Sequence, residues 1–194
     1  DLNAIAKAAL DSELLPCGSA GLAEWVSNWL AVGPREQRFL IVSGSVNTVT
    51  LDQISAAEES LNVSVVQPNL FEVLMGGENR RTEQNRLVKE ASKSLTEGKG
   101  VILRLAKSKD EVSLLQEYGR NLGMDFREIC EKILSSLGET SSEIMEDSRI
   151  IGLILVGGDT AINVTKSIGA LGIRIEEEVL PGIPLGRIVG GPFN

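Results

Sequence analysis

The stretch "ILVGGDTAINV", residues 154–164, runs from an aliphatic strand through two glycines and an acid into a predicted helix. The first amides of a helix that begins there have no intrahelical partner, and the helix dipole adds positive potential. Gly157 and Gly158 carry no side chains that would keep a phosphate from these amides, while Asp159 or Thr160 caps the helix or helps to hold a metal. The alternative, a tight turn with Asp159 as an ordinary N-cap, stays open.

Aliphatic and helical segments alternate outward from this stretch, which predicts an α/β fold with a mostly parallel open sheet and helices on both faces, in three layers. The first four predicted strands lack polar alternation, as strands covered on both faces do. The predicted strands are 38–44, 62–67, 100–106, 151–157, 172–180 and 186–191, and the predicted helices are 19–31, 49–61, 79–97, 110–122, 124–138 and 160–171.

Two of the predicted segments carry more detailed expectations. In the last helix, an apolar stripe toward the sheet is formed by Ala161, Val164, Ile168 and Leu171, and Gly172 ends the helix. Residues 123–150 begin as an amphipathic helix and end in a polar, acidic run. We expect a surface excursion over this second segment.

A second turn has the same pattern as the first. In "FLIVSGSVNTVTLDQI", residues 39–54, an aliphatic strand leads to Gly44 between Ser43 and Ser45, and Thr48 or Thr50 is the expected cap of the next helix. On neighbouring parallel strands, both turns open at the same carboxyl edge, where open α/β folds bind ligands. Neither turn is a Walker P-loop or a dinucleotide G-x-G-x-x-G motif. We therefore expect one anion cradle of another type.

Composition excludes several classes of function. The 194 residues carry a formal charge of −8, which argues against a nucleic-acid partner, and no apolar run is long enough to span a membrane. No histidine is present, so an imidazole base or a histidine-ligated metal is excluded, whereas phosphoryl transfer, which depends on positioning and charge neutralisation, remains. The cytoplasm is the default location, and no secretory signal is recognised.

Isolated charged and thiol groups have simple structural interpretations. The arginines of "NRRTEQNR", residues 79–86, are read as the solvated face of a helix rather than a phosphate patch. Cys17 and Cys130 are read as small buried hydrophobic residues. Asp159 and Asp52 are candidates for Mg²⁺ coordination, which their spacing alone does not decide.

Two further stretches are rich in glycine. "LPGIPLGRIVGGPF", residues 180–193, is read as a shaped loop beside a site, where Arg187 meets either a phosphate or the acidic residues 176–178. "PCGSAGLAEW", residues 16–25, is another glycine turn before a helix, in which Ser19 is the plain N-cap.

Four motifs in order, "CGSAGLAEW", "IVSGSVNTVTLDQI", "VGGDTAINV" and "LPGIPLGRIVGGPF", resemble the C-terminal nucleotide-binding domain of the four-carbon acid sugar kinase family. The resemblance implies an ATP-dependent enzyme that phosphorylates threonate, erythronate or oxo-tetronate, with ATP and Mg²⁺ as cofactors. It also implies ATP contacts at Gly44, Ser45, Gly157, Gly158, Asp159 and Thr160, with Ala161 closing the group. The catalytic residues stay unassigned.

The sequence departs from the family pattern at its ends. The Asp-Asp-x-Thr-Gly-Ala-like motif of the substrate domain is absent, and Asn194 stands where a glycine-rich segment normally follows. We therefore expect residues 1–30 to be the tail of the substrate domain or a connector helix, and 31–194 to be a nucleotide-binding domain that is inactive alone. A non-catalytic nucleotide-sensing module and a structural α/β module remain alternatives, and a homo-oligomer is compatible with the sequence.

Overall fold

The computed structural model of the chain describes residues 38–148 and 150–193. Four strands form one sheet in the order β2-β3-β1-β4, and every neighbouring pair is parallel. These strands are β1 (Phe39–Ser43), β2 (Val63–Val66), β3 (Gly100–Arg104) and β4 (Gly152–Val156). The predicted α/β class with a mostly parallel sheet and flanking helices is confirmed.

The helices within the described residues agree with the predicted ones, apart from one addition and the shifted ends. The unpredicted helix is α2, a short segment that Asn69 caps through a 3.2 Å bond from the Phe71 amide to Asn69 Oδ1. The predicted helix over 19–31 lies outside the described residues. The helices are α1 (Thr48–Ser60), α2 (Leu70–Met75), α3 (Gly77–Thr96), α4 (Lys109–Asn121), α5 (Phe126–Asp147) and α6 (Gly158–Ser167).

The main core lies on one face of the sheet, because alternate strand residues point to the same side. Leu40 and Val42 of β1 are fully buried there together with Val101 and Leu103 of β3, which pair with them in register. Residues of α3, α5 and α6 complete this cluster. Ile102, on the opposite face, is also fully buried, and α1 packs along β2.

The expected surface excursion over 123–150 is wrong. Helix α5 continues without interruption to Asp147, and its second half is buried against α3 and α6. The buried positions include Gly138, Thr140 and Ser141, whose small or weakly polar side chains let the helices approach. Ser141 Oγ donates to the Leu137 carbonyl at 2.7 Å, so its hydroxyl needs no partner outside the helix. The small polar residues in the second half of α5 therefore lie at a close contact between helices and not at a solvent-exposed surface.

Helix α6 is shorter at its carboxyl end than predicted. It ends at Ser167 with Ile168 as its C-cap, and Gly169 follows with φ +69°. Gly169, not Gly172, therefore stops the helix, since this backbone conformation strongly favours glycine. Val164 and Ile168 are buried as the predicted stripe requires, whereas Leu171 lies beyond the helix and is 88% exposed.

The last two strands do not join the parallel sheet. β5 (Gly172–Leu180) and β6 (Ile183–Val189) form a separate antiparallel hairpin. The strand predicted over 186–191 is found in β6, which begins earlier, at Ile183. The interpretation of 180–193 as a loop is wrong there, because Pro181 and Gly182 make a tight turn that returns the chain as a strand. Of the two partners considered for Arg187, the acidic one is observed, because Arg187 Nε lies 2.8 Å from Glu176 Oε1.

The arginines of α3 pair with carboxylates. Arg80 lies 2.7 Å from Glu139, and Arg86 lies 2.7 Å from Glu83. The interpretation of this segment as a helix face, rather than a phosphate patch, is confirmed. No helix in the described part of the chain is long and apolar enough to cross a membrane.

Candidate functional site: two glycine turns at one edge of the sheet

The two glycine turns meet at the carboxyl edge of the sheet. Strands β1 and β4 are parallel neighbours in a register that pairs Ser43 with Val156, so the residues that follow each strand emerge side by side. The Gly44 amide donates to Thr160 Oγ1 at 3.2 Å, a bond between residues 116 positions apart in the chain. Thr160 is itself 2% exposed. The predicted convergence of the turns is therefore observed.

Helix α6 begins two residues earlier than a cap at Asp159 would require. Its N-cap is Gly157, with φ +105°, and no side chain makes a cap hydrogen bond. Asp159 and Thr160 therefore do not cap the helix, because both lie inside its first turn. The capping alternative for this turn is wrong, and the first amides of α6 are left without a side-chain acceptor.

The turn after β1 is organised by its own side chains. Asn47, rather than Thr48 or Thr50, caps α1, and its Oδ1 accepts from the Val49 amide at 3.0 Å. Ser45 Oγ lies 3.1 Å from Thr50 Oγ1 and accepts from the Asn47 amide at 3.3 Å. These bonds fix the Ser45 side chain at the entrance of the turn.

Glycine is needed at Gly44 and leaves open space at Gly158. A Cβ at Gly44 would lie 2.4 Å from Thr160 Oγ1, so a side chain there would push the turns apart. A Cβ at Gly158 would meet no atom within 4 Å. The bare backbone at Gly158 therefore borders space that a ligand could fill.

A pocket of about 400 Å³ lies in front of both turns. Its polar end is formed by Gly44, Ser45 and the segment Gly157–Thr160, as the sequence predicts. Its other walls come from the β1–α1 turn, the end of β3, and helices α4 and α5, a part that the sequence did not reveal. These further lining residues are Val46, Leu105, Val112, Leu115, Gln116, Phe126, Ile129, Cys130, Ile133 and Leu134.

The other candidate residues lie outside this lining. The Ala161 amide donates to the Gly157 carbonyl at 2.9 Å and is thus part of the helix. Asp52 is exposed on α1, whereas Asp159 is exposed at the pocket itself. Across residues 38–148 and 150–193, no group of three or more acidic, cysteine or histidine side chains is placed to hold a metal.

Cys130 is not the buried structural residue that composition suggests. It is half-buried and lines the pocket on α5. Burial, together with the negative charge of Asp159, raises the pKa of the Cys130 thiol. The thiol is therefore neutral at physiological pH and forms part of the apolar wall. Cys17 lies outside the described residues.

A larger cavity of about 830 Å³ lies beside the segment Gln67–Asn69. Two of its charged lining residues, Glu83 and Arg86, already form an ion pair with each other. The Arg86 guanidinium holds the pKa of Glu83 below its ordinary value, and the Asn69 amide also donates to Glu83, at 2.6 Å. We therefore place the candidate site in the smaller pocket, where the first amides of α6 have no side-chain cap.

A family model described as a nucleotide-binding C-terminal domain matches residues 40–193. The chain is 31% identical over 197 aligned positions to a D-threonate kinase of Salmonella typhimurium, covering 100% of this chain and 46% of that protein. It is 24% identical to a D-erythronate kinase of Heliobacterium modesticaldum, covering 82% of this chain and 37% of the relative. The chain thus spans less than half the length of these curated relatives.

Solved structures share the fold. A Bordetella bronchiseptica protein, crystallised with citrate as a domain-swapped dimer, superposes with a TM-score of 0.67 at 22% identity, covering 99% of this chain and 44% of that one. A Haemophilus influenzae protein gives a TM-score of 0.64 at 17% identity, covering 96% of this chain and 44% of that one. With the family match and the kinase relatives, the chain belongs to the four-carbon acid sugar kinase family, as its nucleotide-binding C-terminal domain.

Proposed function

We propose that this chain is the ATP-binding part of a kinase that phosphorylates a four-carbon acid sugar such as threonate or erythronate. The names of the related D-threonate and D-erythronate kinases support the reaction class. The observation that carries the proposal for this chain is the Gly44–Thr160 bond, which joins two glycine turns in front of one pocket. A phosphate chain is the ligand that suits such a set of backbone amides.

In this proposal the phosphates lie against the amides of Ser45 and the segment Gly157–Thr160, beside the bare backbone of Gly44, whose own amide bonds to Thr160. Ala161 closes the group behind them, in the first turn of α6. Two features fit the ligand: the helix N-terminus has no side-chain cap, and a side chain at Gly158 would project into open space. The helix dipole adds attraction for negative charge.

Mg²⁺ would be held by Asp159 together with the phosphate oxygens. A single carboxylate fits this ion, because Mg²⁺ is usually bound by one or two carboxylates, substrate phosphates and water. Asp159 is exposed at the pocket, in the first turn of α6. The bound ion would neutralise phosphate charge, while the chain's own amides orient the phosphate groups.

The acid sugar would be bound by an N-terminal substrate domain. We assign residues 31–194 to the nucleotide-binding domain and 1–30 to the tail of the substrate domain or to a connector helix. The described residues form a pocket at the glycine turns, and the sequence contains no histidine that could act as a base. The chain by itself is therefore expected to bind ATP without phosphorylating a sugar acid.

Thermal unfolding tests the nucleotide proposal. Mg-ATP should raise the melting temperature, because a ligand present at about 100 times its Kd stabilises the folded state by about 2.7 kcal/mol. Adenosine, which lacks the phosphates, should raise it much less. An unchanged melting temperature with Mg-ATP contradicts nucleotide binding, and ADP formation with D-threonate as acceptor contradicts the predicted inactivity of the chain alone.

A homo-oligomer is the second part of the proposal. The β5–β6 hairpin presents large apolar side chains to solvent, including Ile175 at 58% and Leu180 at 59% exposure. A two-stranded hairpin alone is marginally stable in water, so a cover over these side chains would stabilise it. The related Bordetella protein, which forms a domain-swapped dimer, motivates the choice of a second copy as that cover.

A further inference from the structure

The pocket has two chemically different ends, and phosphate binding accounts for only one of them. The polar end consists of glycine-turn backbone. The apolar end lies between α4 and α5, where Leu115 and Ile129 are each 2% exposed and Val112 is half-buried. An anion gains nothing from such a surface, whereas a flat, weakly polar group does.

An aromatic side chain stands at the rim of this apolar end. Phe126 is the first residue of α5, lines the pocket and is 61% exposed. Its position is fixed by a capping box, in which Asp125 accepts from the Glu128 amide and Glu128 accepts from the Asp125 amide, both at 2.8 Å. An exposed aromatic ring held by the backbone beside an apolar slot suits stacking against a planar ring.

One uncharged hydrogen-bonding side chain faces the same end. Gln116 lines the pocket from α4, one residue after the buried Leu115, and is half-buried. Its carboxamide makes no hydrogen bond with the described part of the chain, so its donor and acceptor are both available to a ligand. A carboxamide presents a donor and an acceptor side by side, which is the arrangement that pairs with the edge of a purine.

We propose that the apolar slot between α4 and α5 binds the nucleobase, with Phe126 stacking on it and Gln116 hydrogen-bonding its edge. This inference rests on the proposed nucleotide function and adds the orientation of the nucleotide and a residue that determines base recognition. The phosphates then point toward Gly44 and Gly158, and the base points away from the sheet edge. Gln116 is a specificity residue and takes no part in phosphoryl transfer.

Calorimetry with two ligands separates the base slot from the phosphate cradle. Mg-ATP and magnesium tripolyphosphate share the phosphate chain, but only ATP has a base. The chain should bind ATP at least about tenfold more tightly than tripolyphosphate, since base stacking and edge pairing each contribute on this scale. Val112→Trp, which fills the slot, should reduce the ATP affinity to that of tripolyphosphate and leave tripolyphosphate binding unchanged.

Two smaller substitutions test the same slot in case Val112→Trp prevents folding. Gln116→Leu and Phe126→Ala replace half-buried or exposed side chains and should each weaken ATP binding by roughly tenfold without changing tripolyphosphate binding. Gln53→Leu, the same chemical change at an exposed position of α1 outside the pocket, is the control and should have no effect.

The outcomes distinguish this inference from the proposed function. Equal affinities for ATP and tripolyphosphate in the unmodified chain would overturn the base slot and leave the phosphate cradle intact. An ATP preference that survives both Gln116→Leu and Val112→Trp would also overturn it. Binding of neither ligand would refute the nucleotide function itself, and the base slot with it.

Discussion

Thr160 connects the two halves of the site at the scale of a single residue. Its hydroxyl is buried in the first turn of α6 and accepts from the Gly44 amide across the sheet edge. Sequence reasoning assigns Thr160 to the site as a helix cap or a metal ligand, and the family resemblance implies an ATP contact. The role differs because the acceptor it supplies serves the neighbouring turn, a partner that no local pattern reveals.

Thr160→Val tests this role. Valine keeps the shape and removes the acceptor, so the partly buried Gly44 amide is left unpaired, at a cost of about 1–3 kcal/mol in the free energy of unfolding. Nucleotide affinity should fall as well, because the turns lose the bond that fixes their separation. Thr160→Ser retains the oxygen and should recover most of both losses, as urea unfolding and calorimetry would measure. A valine variant as stable as the unmodified chain contradicts this role.

Glu83 provides a prediction about pH. Its pKa is lowered chiefly by the hydrogen bond from Arg86, so the carboxylate stabilises the folded state above its unfolded pKa. That contribution is lost as pH falls through the lowered folded pKa, below its ordinary value of 4.5. Glu83→Gln should therefore cost about 1–3 kcal/mol at pH 7 and clearly less at pH 3, in urea titrations. A cost that does not change with pH would exclude the charged pair as its cause.

The contact between α5 and α6 sets the position of the glycine turn at the scale of elements. Gly138 of α5 faces α6, where an added Cβ would lie 2.9 Å from the Asn163 carbonyl oxygen and 2.5 Å from Ser167 Oγ. The first of these is backbone, so the helix itself would have to move. The small residues of α5 thus hold the helix that carries Gly158 and Asp159.

The substitution Gly138→Ala tests the close contact between α5 and α6, because helix propensity and crowding change the stability in opposite directions. In an exposed helix this change stabilises by about 1 kcal/mol, whereas crowding in a packed core costs about 1–3 kcal/mol. We expect net destabilisation in urea unfolding and weaker nucleotide binding, because α6 is displaced. A variant that is more stable, with unchanged affinity, would show that the helices have room between them.

Prediction from sequence works well for buried elements. The four parallel strands and the start of α5 follow from continuous aliphatic runs and helical periodicity, which are local properties. The second half of α5 was missed because Thr140, Ser141 and Ser142 read as polar surface, although small side chains also suit close helix contacts. Both strands of the hairpin are predicted, over 172–180 and 186–191, but not their antiparallel pairing, because Pro181 and Gly182 signal a turn without indicating which partner the next strand takes.

The candidate site also has one part that the sequence predicts and one part that it does not. Its polar end was predicted because Gly44, Gly157 and Gly158 follow aliphatic runs, a signal that is visible in sequence. Its apolar end was not, since Val112, Ile129 and their neighbours carry the same pattern as any core-facing helix residues. Whether such a residue faces the core or a cavity depends on how the helices pack.

At the scale of the whole molecule, the β5–β6 hairpin presents several large apolar side chains to solvent. Size-exclusion chromatography with light scattering should give a mass above that of a monomer for the 194-residue chain. The double substitution Ile175→Ser with Leu185→Ser should shift it toward the monomer, because both side chains are exposed apolar groups of the hairpin. Leu114→Ser, a similar change at a position that is 59% exposed on α4, should leave the mass unchanged. A monomer in the unmodified chain would contradict the proposed assembly.

Calorimetric titration of Gly158→Leu with Mg-ATP tests the central claim, that the two glycine turns form one phosphate cradle. Gly158 has open space at its Cβ, so leucine should fold normally and block the amides. Gly152→Leu, at the other end of β4 and with the same open space, is the control. We predict an affinity loss of at least about tenfold in Gly158→Leu, the scale of a lost charge-assisted contact, and none in Gly152→Leu. Equal affinity in Gly158→Leu and the unmodified chain, with both folded, would contradict the cradle.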